Sequence, residues 1–147
     1  MNAQAGADAP AFASLYAEVQ QFYASHMQRL DSGAADEWAD DFTQDGSFHP
    51  PTLPQPVRGR AALAAAVRDA HAGLRAAGEQ HRHWHGMLSV TPQDDGSLHV
   101  RCYALVFATP KGGEPRPHRS CVCEDVLVRE DGELRINRRT VTRDDMP

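Results

Sequence analysis

At 147 residues the chain suits one domain with a single core, and a formal net charge of −5 gives it no positive field for nucleic acid or an anionic membrane. Apolar residues at 41% and charged residues at 24% exclude a disordered chain. Three cysteines, Cys102, Cys121 and Cys123, cannot all pair within one chain and lack the spacing of a zinc knuckle, so free thiols in a reducing cytoplasm are expected.

The opening residues MNAQAGADAP carry no basic residue and no apolar run. They read as a flexible tail over 1–10 rather than a signal peptide, which leaves 11–147 as one domain. No segment reaches the length of a membrane span. From Phe12, apolar residues at Leu15, Tyr16, Val19, Phe22, Tyr23, Met27 and Leu30 recur at steps of three and four. That spacing predicts one stripe of a helix, stopped by Asp31–Gly33. A shorter helix is expected around ADEWADDF, with Trp38 and Phe42 one turn apart on the same side. TQDGSF then reads as a turn into a short extended piece ending at Phe48.

HPPTLPQPVRG holds four prolines in eleven residues and is a stiff loop. RAALAAAVRDAHAGLRAAG predicts a third helix with Leu63, Val67, Ala70 and Leu74 inward and Gly78 as its stop. After Gly78 the period changes to two, and four strands are expected over 80–91, 97–109, 116–129 and 133–143, joined by hairpin turns. The arginines near the end of the chain, among them Arg135, Arg138, Arg139 and Arg143, alternate with acidic residues and read as a solvated strand face. Helices first and an antiparallel meander after them give an α+β fold, with about three helices packed on one face of a curved sheet enclosing a pocket.

The stretch HRHWHG sets His81, His83 and His85 at alternate positions, so on a strand they share a face, followed by Met87. Arg82, Trp84, Leu88 and Val90 take the other face. A metal site would want a third ligand and usually a carboxylate at fixed offset, yet Gly86 to Gln93 holds no Glu or Asp. No metal is therefore assigned. No phosphate-binding glycine motif occurs, so no cofactor is expected.

The order and spacing of FYASHMQRLDSGAADEWADDFTQDGSF, VRGRAALAAAV, HRHWHG and VREDGELRINRRTV resemble the SnoaL-like polyketide cyclase and dehydratase branch of the nuclear transport factor 2-like superfamily. The resemblance implies a cone-shaped α+β barrel and homodimers paired through the outer sheet face, here Arg101, Tyr103, Leu105 and Phe107. Scytalone dehydratase and bile-acid dehydratases look like relatives in which a cavity-facing histidine at the start of the first long strand is supported by an aspartate at the end of the first helix. By order along the chain these positions fall on His83 and Asp31. The dehydratases place a second catalytic group on the next strand, where this sequence has Cys102, Ala104, Val106 and Ala108 on the apolar side.

An imidazole titrating near pH 6.5 can give and take a proton near neutrality, and a carboxylate on its other nitrogen fixes the tautomer. Asp31 lies about 100° from the centre of the helix stripe, at its edge. The plain alternative is that Asp31 ends the helix and His83 is packed or solvated. Candidates for a second proton relay are His118, His49 and His26, the first two flanking loops and the third inside the helix stripe. Candidate pocket walls are Tyr16, Tyr23, Trp38, Phe42, Phe48, His85, Met87, Cys102, Cys121 and Cys123, although core packing accounts equally for the aromatics. Periodicity alone leaves open which face of strand 116–129 looks inward.

The expected function is a cytoplasmic, cofactor-independent acid/base enzyme. It would be a cyclase, dehydratase or isomerase of secondary metabolism, acting on a hydrophobic polyketide-like or polycyclic molecule, with no nucleic-acid or membrane partner. The alternatives are a non-catalytic ligand-binding or partner subunit and, third, a His-ligated metalloenzyme.

Overall fold

The apolar stripe beginning at Phe12 becomes the buried side of a long helix, where Val19, Tyr23, His26 and Met27 are at most 5% exposed. The computed structural model describes residues 2–147, with side chains from Ala11 onward; the tail expected over 1–10 falls outside the fully described residues. The elements run α1 (Asn2–Ser32), α2 (Ala35–Asp40), β1 (Phe42–His49), β2 (Val57–Arg58), α3 (Arg60–Ala77), β3 (Glu79–Pro92), β4 (Leu98–Pro110), β5 (Arg116–Glu130) and β6 (Glu133–Arg143). None of the described helices is long and apolar enough to cross a membrane.

The fold is α+β. One six-stranded sheet has the order β2-β1-β6-β5-β4-β3. The four long strands form the expected antiparallel meander, and β1 joins it as a parallel neighbour of β6. Phe42 belongs to β1 rather than to the second helix, because the helical run ends at Asp40. It still packs on Trp38, with ring centroids 5.0 Å apart. Gly78 ends α3 in the left-handed conformation (φ 67°), which costs a glycine least, and its carbonyl accepts from Lys111 N at 2.7 Å. That bond ties the helix end to the hairpin between β4 and β5.

Two bulges reset the strand faces. In β3, Gly86 pairs with Tyr103 and Ser89 with Arg101, so Met87 and Leu88 share one partner position. Met87 takes φ 55° and stands 77% exposed, while Leu88 and Val90 turn inward at 6% and 8%. The expectation that Met87 follows the histidines to the pocket, and that Leu88 and Val90 face away, is thereby corrected. In β6, Ile136 pairs with Leu127 and Arg138 with Val126, which leaves Asn137 over. From there Arg139 points inward and is 2% exposed, so the solvated reading of the arginine run fails at this residue. On β5 the face with Cys121, Cys123, Asp125 and Leu127 is the buried one.

Candidate active site

Asp31 sits in the last turn of α1 and His83 near the start of β3, and the packing of that helix end on the strand brings them together. Asp31 Oδ2 accepts from the His83 backbone N–H at 3.0 Å, and its Oδ1 lies 2.6 Å from His83 Nδ1. A carboxylate can only accept, so Nδ1 carries the proton and Nε2 is left as the basic nitrogen. The double grip fixes both backbone and ring. The Asp31 side chain is 7% exposed and that of His83 is 25% exposed, a buried carboxylate behind a reachable imidazole.

His83 forms part of the wall of a cavity of about 490 Å³ between the helices and the inner face of the sheet. Met27, Leu30, Trp38, Leu63, Val67 and Val106 give it an apolar surface, and the proline loop closes one side through Pro50 and Pro51. The imidazole and guanidinium groups reaching the wall are those of His83, His85, Arg119, Arg139 and Arg143. Burial, then the charge of Arg139, lowers the His85 pKa to about 3, so this imidazole is neutral in ordinary buffers.

Behind the wall lies a buried polar chain. Arg139 donates from Nε and Nη2 to the two oxygens of Asp125, each at 2.9 Å, and Tyr23 donates its hydroxyl to Asp125 Oδ2 at 2.6 Å. Nη1 of the same guanidinium donates to His26 Nε2 at 2.9 Å, and His26 Nδ1 meets Asp41 Oδ2 at 2.8 Å. Arg29 Nη1 closes the chain on both Asp41 oxygens at 2.9 Å. Since Arg139 can only donate, the His26 proton is on Nδ1. Burial and the neighbouring guanidinium lower its pKa to about 4, which keeps the ring neutral. Burial pushes the Asp125 carboxyl up, but Arg139 and Tyr23 outweigh it and hold the group ionised.

Of the pocket walls expected from sequence, Trp38, Phe48, His85 and Cys121 line the cavity. Tyr16 instead donates to Leu88 O at 2.9 Å, and Tyr23 is committed to Asp125. Phe42 is fully buried, packed under the Arg139 guanidinium at 5.5 Å. Cys102 and Cys123 lie one layer deeper, 1% and 0% exposed. None of the three relay candidates is among the lining residues. His26 is locked in the polar chain, His49 Nε2 meets Leu53 O at 3.0 Å, and the His118 ring packs on His81 at 4.8 Å. The three strand histidines do not gather around one point either. His81 turns to Glu79 Oε1 at 3.1 Å, His83 to Asp31, and His85 Nδ1 to Cys102 Sγ at 3.6 Å.

Sequence reasoning missed Arg139, Asp125 and Asp41 as a unit. A signal was present: Ile136 and Val141 are five apart, an odd spacing for two inward residues of one strand. That spacing implies a bulge, and the bulge turns Arg139 toward Asp125, its direct cross-strand partner.

The SnoaL-like domain model matches residues 12–140. ActVI-ORFA from Streptomyces coelicolor superposes with a TM-score of 0.84 at 36% identity, covering 90% of this chain and 99% of that one. Aln2 from another Streptomyces species gives 0.81 at 35% identity over 90% and 92% of the two chains. A Catenulispora acidiphila protein in complex with S-DNPA gives 0.79 at 38% identity over 90% and 96%. No match is found among curated proteins. With most of its length matched by the family model, the chain belongs to the SnoaL-like family, the polyketide cyclase and dehydratase branch of the nuclear transport factor 2-like superfamily.

Proposed function

We propose that this protein is a cofactor-independent acid/base enzyme (a cyclase, dehydratase or isomerase) for a hydrophobic, polyketide-like small molecule. The observation that carries the reading is the 2.6 Å contact between Asp31 Oδ1 and His83 Nδ1 at the wall of an apolar cavity. Nε2 of His83 removes a proton next to a substrate carbonyl or delivers one to a leaving hydroxyl, and Asp31 stabilises the imidazolium that forms. The apolar surroundings strengthen polar contacts to the enolate-like transition state. The Catenulispora protein's complex with S-DNPA supports a small-molecule ligand and supplies a probe.

The test follows deuterium from solvent into S-DNPA, by NMR in D2O. The wild-type chain is expected to exchange one carbon-bound hydrogen, and His83→Ala to lose that exchange while its circular dichroism and melting stay unchanged. Unaltered exchange in the variant overturns the proposal. A non-catalytic ligand-binding or partner subunit is the second reading, favoured by β4, whose inner face holds Cys102, Ala104, Val106 and Ala108 but no second proton-transfer group. It expects S-DNPA binding without exchange, in the wild type and in His83→Ala alike.

The outer sheet face supports a homodimer. Trp84 is 70% exposed, Tyr103 52%, and Leu105 and Phe107 39% each, on adjacent strands. Sedimentation velocity is expected to give a dimer that Leu105→Asp dissociates. The free thiols of Cys102, Cys121 and Cys123 suit a reducing cytoplasm.

A further inference from the structure

The three adjacent strands β3, β4 and β5 carry a second constellation that the proton-transfer reading does not use. Cys102 on β4 and Cys123 on β5 are direct cross-strand partners with both side chains inward. His85 on β3 pairs with Ala104, the next inward residue after Cys102. One ligand atom from each of the three lies within 4.8 Å of the others. The His85 Nδ1 to Cys102 Sγ separation is 3.6 Å. Tetrahedral zinc with Zn–N near 2.0–2.1 Å and Zn–S near 2.3 Å requires an N···S distance of about 3.6 Å, so this edge of the site is already at its length.

We infer that His85, Cys102 and Cys123 form a binding site for one thiophilic divalent cation of the zinc type. Its fourth position is left to water or to a ligand oxygen arriving from the cavity. Binding forms two metal–sulfur bonds and one metal–nitrogen bond and releases the two thiol protons to solvent. The two thiolates cancel the charge of the ion, so the filled site adds no net charge beside the buried Arg139–Asp125 pair. Asp125 lies close by, with Cys123 Sγ 3.4 Å from its Oδ1, but its oxygens are already held by Arg139 and Tyr23. It therefore does not enter the ligand set and leaves the fourth position open, and its charge, balanced by Arg139, faces Cys123 from outside the site. Of the three ligands His85 alone lines the cavity, which makes the cavity the path of entry.

The inference is independent of the role of His83, and its test needs no substrate. Tag-free full-length protein is titrated with Co2+ and then with Zn2+. A thiolate-to-cobalt charge-transfer band and visible bands of tetrahedral intensity are expected, saturating near about one equivalent and bleached by zinc. Cys102→Ser and Cys123→Ser should each weaken zinc binding by more than about 100-fold, above the 10–100-fold that outer-shell partners command. Cys121→Ser and His118→Ala should leave it unchanged. X-ray absorption at the zinc edge on the unmutated protein, which does not depend on any variant folding, should report two sulfur neighbours and one or two nitrogen or oxygen neighbours. A sulfur-free shell overturns the site, as does an equal titration in the two serine variants. Loss of binding in His118→Ala also overturns it, by placing the ion on the His81, His118 and Glu79 cluster.

Discussion

Two His–Asp pairs hang from the same helix, and their difference separates the group proposed to react from one locked in the interior. His83 meets Asp31 at 2.6 Å and His26 meets Asp41 at 2.8 Å, so by contact alone the pairs are alike. The second nitrogen distinguishes them. Nε2 of His26 accepts from Arg139 and its ring is fully buried, whereas His83 sits in the cavity wall with a quarter of its side chain exposed. A carboxylate partner thus orients an imidazole in both places, but only the ring with a free, reachable nitrogen can exchange a proton with a bound molecule.

The largest effect is expected from breaking the structural pair's surroundings. Arg139→Met leaves Asp125 without its counter-charge in the interior, and removing one member of a buried ion pair typically costs about 3–5 kcal/mol. Urea unfolding should show that loss, and the double variant Arg139→Met with Asp125→Leu should recover part of it, since Tyr23 and His26 each still lack a partner. A single variant as stable as the wild type would show that the pair is solvated. His83→Gln makes the opposite trade. It should lower deuterium exchange by about 10²–10⁴-fold, the usual contribution of a positioned general base, while unfolding shifts by less than about 1 kcal/mol.

Acid sharpens the comparison further. The folded-state pKa of His26 is lowered from 6.5 to about 4, by burial first and then by Arg139. Below 6.5 the unfolded chain takes up a proton that the folded chain refuses until about 4. Stability from this group is therefore complete above 6.5, declines as pH falls from 6.5 toward 4, and is flat below that. At 1.36 kcal/mol per unit the loss is on the order of 3 kcal/mol. His85, lowered to about 3 by burial and then by Arg139, adds to the decline in the same direction. Chemical-denaturation stabilities across this range check the slope, and the His26 ring resonances should hold their neutral shifts at pH 5. A His26 titration at the ordinary histidine value would dissolve the distinction between the two pairs.

Much of the frame was legible in the sequence, because period and punctuation report local structure well. The stripe from Leu15 to Leu30, the stop at Gly78 and the alternation after it become α1, the end of α3 and the four long strands. The proximity of Asp31 and His83 was legible only through the family resemblance, which sets the end of the first helix against the start of the first long strand although four elements lie between them. What stayed hidden depends on bulges and cross-strand register. Met87 leaves the histidine face at one bulge and Arg139 enters the interior after another. No window of local sequence shows that Asp125 and Arg139 are opposite each other until the strands are paired.

Trp38 offers the smallest and most delicate contrast with the satisfied polar chain beside it. It is 4% exposed, stacks on His26 at 5.3 Å, and its buried Nε1–H finds no acceptor among the described residues. An unpaired buried donor costs about 1–3 kcal/mol, and truncating a buried aromatic ring opens a gap of comparable penalty. Trp38→Phe removes both the orphan donor and the second ring, so the two effects oppose each other and net stability should move by less than about 1 kcal/mol. Because Trp38 also lines the cavity, the shortened ring takes apolar wall away from a bound molecule, and the relief of the orphan donor, equal in the free and bound protein, does not offset that loss. Affinity for S-DNPA, measured by calorimetry, should accordingly fall by more than the melting behaviour of the free protein suggests. Equal changes in both would mean that the indole makes no contact with the bound molecule.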